Sequence, residues 1–74
     1  MEAFRIGEVV RIDPGAFGVF SDIGYKIRDS NNPLYGKVVG ILRRGDGIEV
    51  SAYAVRYTWE DKTYQENFVE DYLS

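Results

Sequence analysis

Aromatic rings and carboxylates are the chemical equipment of this chain. Cysteine and histidine are both absent, which removes disulfide scaffolds, thiol catalysis, zinc fingers and every triad built on His. Paired carboxylates at Glu60/Asp61, Glu66 and Glu70/Asp71 are candidates for acid–base work. Glycoside chemistry needs two carboxyls held across a cleft at a set separation. These five sit toward one end of a 74-residue chain, on segments that read as turns, and solvation is the default state of such groups. Asp29, Asn31 and Asn32 lack the spacing and closing Glu of a calcium loop and read as turn residues. Gly15-x-x-Gly18 and Gly45-Asp46-Gly47 do not join a strand to a helix with a following Lys-Ser/Thr, so they predict turns rather than a phosphate cradle.

The rings say more. Tyr53, Tyr57 and Trp59 share one face at period two, which predicts packing. Tyr25, Tyr35, Tyr64 and Tyr72 fall outside that pattern and are candidates for a partner-binding groove of the kind that takes extended peptides. Arg43 and Arg44, at a glycine-rich turn, read as solvated.

The elements that would position these rings are strands. Apolar residues make up 45% of the chain and charged residues 28%, an ordinary globular mixture at a length that holds one domain, residues 1–74. Phe4–Ile12 alternates, with Phe4, Ile6, Val10 and Ile12 on one face, and Asp13-Pro14-Gly15 ends it. Ala16–Phe20 and Gly24–Arg28 fit two further short strands within a long first loop pinned by its aromatics. Tyr35–Leu42 is the next strand, with Gly40 marking a bulge or a close approach. Glu49–Trp59 has the cleanest alternation, Glu60-Asp61-Lys62 is a turn, and Thr63-Tyr64-Gln65 begins a return strand. At the end, Phe68, Val69, Tyr72 and Leu73 have the spacing of one helical turn, with Asn67 placed to cap it and Glu70 three residues on. The expectation is an all-β fold, a small antiparallel barrel of 4–5 short strands with a long first loop and a C-terminal 3₁₀ or α turn. The aromatic load exceeds what one tiny core hides, which predicts self-association.

Nine Lys and Arg stand against twelve Asp and Glu, for a net charge of −3. Such a balance argues against nucleic acid, whose affinity rests on neutralising phosphates. A single-strand binder using Arg11, Arg43, Arg44 and stacked tyrosines is the third-ranked reading. No apolar run is long enough to span a membrane and no export signal is visible, so the expected compartment is the cytoplasm.

Phe4-x-x-Gly7-x-x-Val10-Arg11, Gly36-Lys37-Val38-Val39-Gly40, Tyr53-Ala54-Val55, Tyr64-Gln65 and the closing Phe68-Val69…Leu73 together resemble bacterial SH3-like barrels. Within that fold the order is most similar to the plasmid- and integron-borne type II dihydrofolate reductases, which would imply a mobile genetic element. The resemblance implies a homotetramer whose central pore takes NADPH and dihydrofolate, floored by the stretch that matches Tyr64-Gln65-Glu66-Asn67. Gln65 is kept, whereas an apolar residue and a tyrosine of the family become Glu66 and Asn67. Four copies of Glu66 around a pore would repel an anionic cofactor. The expected function is therefore a non-catalytic binding module that pairs with itself and with another protein. It needs no cofactor, and Gln65, Glu66 and Asn67 join the four tyrosines as its candidate site. An NADPH-dependent reductase is the alternative.

Overall fold

In the computed structural model, residues 2–18, 22–30, 32–45, 47 and 49–74 are described. Four strands form one antiparallel sheet in chain order: β1 (Val9–Ile12), β2 (Leu34–Arg43), β3 (Val50–Trp59) and β4 (Lys62–Phe68). One helix, α1 (Asp22–Ser30), lies between β1 and β2, and 3₁₀ turns occupy Pro14–Ala16 and Glu70–Tyr72. The all-β expectation holds for the sheet that makes up most of the fold, and α1 is the one addition to it among the described residues. None of the described helices is long and apolar enough to cross a membrane.

The alternation read along the chain places the core. Val10, Ile12, Val38, Tyr53, Val55, Tyr57 and Phe68 are buried on one face of the sheet. Phe17 packs edge-on against Tyr57 and Phe68, with both ring separations 5.5 Å, so the first loop is indeed pinned by an aromatic. Phe4 meets Tyr53 in the same way at 5.3 Å, and the Tyr53 hydroxyl accepts from the Ala3 N–H at 2.9 Å. The bulge expected at Gly40 is present: Val38 pairs with Val55 but Gly40 with Ala54, leaving Val39 extra.

Three local expectations are corrected. The first strand begins at Val9, because residues 5–8 turn. The Glu8 N–H donates to the Arg5 carbonyl, and the Arg5 N–H donates to the Glu8 carboxylate at 3.1 Å. A strand running on from Phe4 would have aimed Glu8 at the core with the apolar residues, and burying an unpaired carboxylate is prohibitive. Gly7, at φ +96°, supplies the conformation that reverses the chain, and Ile6 is left exposed.

The second correction is that Gly24–Arg28 is helix, not strand. Ile23 and Ile27 are four apart and both contribute to the core, Ile27 being fully buried. Burying an isoleucine is worth about 1.5–3 kcal/mol, which outweighs the ~1 kcal/mol that Gly24 costs inside a helix. Pro14–Ala16 takes a 3₁₀ turn where the Ala16–Phe20 strand was expected to begin; Val19 and Phe20 lie outside the described residues. The third correction concerns Asn67. It pairs with Ala54 inside β4, and the terminal turn starts from Val69 without a side-chain cap.

After β4 the chain passes through that turn and returns to β1. Leu73 bridges Ile12, the Arg11 N–H donates to the Ser74 carbonyl at 2.9 Å, and the Ser74 N–H donates back at 3.0 Å. β1 and β4 do not pair with each other. The ladder is open, and an antiparallel sheet rather than a closed barrel is what the structure shows.

Candidate functional site

Period-two alternation divides the expected Tyr64–Asn67 stretch between the two sides of the sheet. Tyr64 and Glu66 lie opposite Tyr57 and Val55 on the core side. Gln65 and Asn67 lie opposite Arg56 and Ala54 on the solvent side. Tyr64 is half-buried and stacks on Tyr57 at 5.6 Å and 25°, so it works mainly as packing. Tyr35 is 59% exposed on the solvent side of β2, Tyr25 is exposed on α1, and Tyr72 is exposed on the terminal 3₁₀ turn. No cavity forms among the described residues.

On the core side, the Tyr57 hydroxyl and the Trp59 Nε1 are buried and make no well-formed hydrogen bond among the described residues, although the Glu66 carboxylate lies close enough to the phenol to act on it. Burial pushes the Tyr57 phenol above the usual tyrosine range, and the Glu66 carboxylate raises it further. A phenol held so firmly neutral cannot serve as a base near neutral pH.

The solvent side is different in kind. A continuous row crosses all four strands: Val9 opposite Lys37, Lys37 opposite Arg56, Arg56 opposite Gln65. Beside it, Arg11 lies opposite Tyr35 and Thr58 opposite Thr63. Val9, Arg11, Tyr35, Lys37, Arg56, Thr58, Thr63, Gln65 and Asn67 are all exposed. No Asp or Glu takes a position on this side of the four strands. A chain with net charge −3 therefore presents a face bearing three cations and no anion.

Lys37 and Arg56 are direct cross-strand neighbours, and like charges so placed destabilise a sheet. The Arg56 guanidinium reaches a neutral partner, donating to Gln65 Oε1 at 3.2 Å. The other candidate arginines are engaged with acids elsewhere: Arg43 pairs with Glu2, and Arg44 Nε lies 3.3 Å from Glu49 Oε2.

Sequence reasoning reached Arg11, Tyr35, Gln65 and Asn67 but missed Val9, Lys37 and Arg56. The signal was available in the alternate positions 9/11, 35/37, 56/58 and 63/65/67, which contain no acid. Comparison with protein-family models, curated proteins and solved structures returns no match for this chain.

Proposed function

We propose that this chain is a non-catalytic binding module, SH3-like in its layout, whose contact surface is the solvent side of the sheet and whose partner is polyanionic. The observation that carries the reading is the acid-free face holding Arg11, Lys37 and Arg56 on a net-acidic protein. The four strands carry a single acid, Glu66, and it lies on the core side opposite Val55, so the charges on the solvent side are all positive. A local field of one sign draws counter-charged ligands whatever the net charge. The Lys37–Arg56 juxtaposition costs stability and is relieved when an anion sits between the two cations.

The test is a ¹⁵N–¹H NMR titration of the full chain with inorganic polyphosphate. Shift changes should concentrate on Arg11, Tyr35, Lys37, Arg56 and Gln65. Changes centred instead on Lys26 and Arg28 of α1, or on the Arg43–Arg44 turn, or no saturable change at all, would overturn the reading.

A further inference from the structure

We propose that the polyanion is a single-stranded nucleic acid, lying across the sheet with its phosphates on Arg11, Lys37 and Arg56 and one base stacked on Tyr35. This inference rests on the solvent side of the sheet being the contact surface.

Three features select a nucleic acid strand from among polyanions. Tyr35 is an exposed ring set amid the cations: Arg11 lies directly across from it and Lys37 two residues along the same strand face. An acidic peptide has no use for a ring there, whereas every base offers a flat surface to stack on it. Around the cations stand Thr58, Thr63, Gln65 and Asn67, uncharged groups that donate and accept hydrogen bonds and so match base edges and sugar hydroxyls. The exposed Val9 at the end of the Lys37–Arg56 row adds an apolar contact that a purely electrostatic ligand would leave unused.

The shape of the surface favours a single strand over the major groove of a duplex. Readout of B-DNA needs a helix or a two-stranded ribbon that enters a groove. Here the cations sit on the broad side of a four-stranded sheet, roughly 14 Å across at ~4.8 Å per strand spacing. Stacking on Tyr35 also requires a base that is already unstacked from its neighbours, as in a single strand.

The competing occupant is the acidic end of a second copy, where Glu60, Asp61, Glu66, Glu70 and Asp71 stand against Lys62 alone. That segment offers charge, but of its three rings Phe68 is buried and only Tyr72 is exposed. Tyr64 is already stacked on Tyr57.

The experiment is fluorescence anisotropy of the full chain with labelled 15-nucleotide oligo(dT) and oligo(rU), a mixed-sequence DNA duplex, and poly-L-glutamate, at 50 and 200 mM salt. The single strands should bind more tightly than either the duplex or poly-L-glutamate. With three phosphates neutralised, the salt slope should be about −2, a loss of roughly twentyfold between the two salt concentrations. Tyr35→Ala should weaken single-strand binding about tenfold and leave polyphosphate binding nearly unchanged. Lys37→Glu should abolish single-strand binding while raising the melting temperature, because it converts a like-charge pair into an opposite-charge pair; a merely structural lysine would not separate the two readouts.

Equal or tighter binding of the duplex or of poly-L-glutamate would overturn the proposal, as would Tyr35→Ala or Lys37→Glu binding single strands as the parent does. Polyphosphate mapping to the sheet face while single strands fail sinks this inference alone. Polyphosphate mapping elsewhere sinks the contact surface with it.

Discussion

Replacing Gly36 with alanine tests how closely β2 and its neighbours are packed. Gly36 lies between Val10 on β1 and Tyr57 on β3 and faces the core. An added Cβ would meet Val55 Cγ1 at 2.5 Å, the Arg56 carbonyl oxygen at 2.9 Å and Ile12 Cδ1 at 3.3 Å. Val55 and Ile12 are both fully buried, so neither side chain has free space to swing into, and the carbonyl belongs to a paired strand. Overpacking of this kind costs about 1–3 kcal/mol. Alanine recovers ~0.5–1 kcal/mol by restricting the unfolded chain. The net expectation is a loss of about 1–2 kcal/mol, which in a domain of this size lowers Tm by roughly 5–15 °C. The assay is a reversible thermal melt followed by circular dichroism, with Gly36→Ala, Val55→Ala and the double variant in parallel. Val55→Ala alone removes two buried methyls and should cost about 2 kcal/mol. Because it also removes the nearest clashing atom, the double variant should be more stable than the sum of the singles predicts, by about 1 kcal/mol. A Gly36→Ala melt within ~2 °C of the parent, or strictly additive losses, would refute the packing argument.

Four further outcomes are expected. Tyr57→Phe removes a buried hydroxyl that makes no well-formed hydrogen bond among the described residues. It should leave stability unchanged or raise it by up to ~1 kcal/mol in a urea titration; a loss above ~1 kcal/mol would show that the hydroxyl is satisfied. The same variant should resist alkali better. The folded phenol ionises above the ordinary tyrosine value of ~10 while the unfolded one ionises near it. The phenol's contribution is thus intact below pH ~10 and lost as pH rises beyond it, so the midpoint of alkaline unfolding should move upward in Tyr57→Phe. Glu60 and Asp61 link β3 to β4 with φ of +49° and +67°, values suited to Asn-Gly. The double replacement Glu60→Asn/Asp61→Gly should raise Tm by roughly 4–8 °C, about 1 kcal/mol, and an unchanged Tm would contradict it. Leu73→Ala should cost about 2–4 kcal/mol, because this nearly buried side chain holds the C-terminal residues against Ile12; a loss under ~1 kcal/mol would mean that the contact is dispensable.

Local patterns identified most of the sheet: alternation gave β3 and its inward row of Tyr53, Val55 and Tyr57, an apolar β-rich run gave β2, a polar turn gave the start of β4, Gly40 gave the bulge, and helical spacing gave the terminal turn. Those features rest on local geometry, and local geometry is what a linear pattern encodes. The missed elements were decided by competition. Phe4–Ile12 alternates well, yet continuing the strand would have buried Glu8, and the cost of that charge overrode the period. In Gly24–Arg28 five residues fit either period, and only the core contact made by Ile27 distinguishes helix from strand. The candidate surface was hidden for another reason. Net charge sums over both faces, whereas the row Val9–Lys37–Arg56–Gln65 exists only once four separate segments are in register. The resemblance grouped Tyr64 and Glu66 with Gln65 and Asn67 as one pore-floor stretch, and the pleat places them on opposite sides.

The pairing of Arg11 with Ser74 predicts an order of events in folding. The β3–β4 hairpin closes across two turn residues, a microsecond event, while the bonds between β1 and residues 72–74 join segments from opposite ends of the chain. Loop entropy for that closure is recovered only after the sheet between them exists. The C-terminal residues should therefore dock after the rate-limiting step and detach before it in reverse. In a chevron experiment, Leu73→Ala should leave the refolding limb nearly unchanged and speed unfolding by its full stability loss, with φ near 0, whereas residues of the hairpin core such as Tyr57 and Phe68 should give higher values. A φ near 1 at Leu73 would reverse that order and make the two ends the nucleus of the fold. With φ near 0 at Leu73, the contact of residues 72–74 with β1 lengthens the lifetime of the native state without speeding its formation.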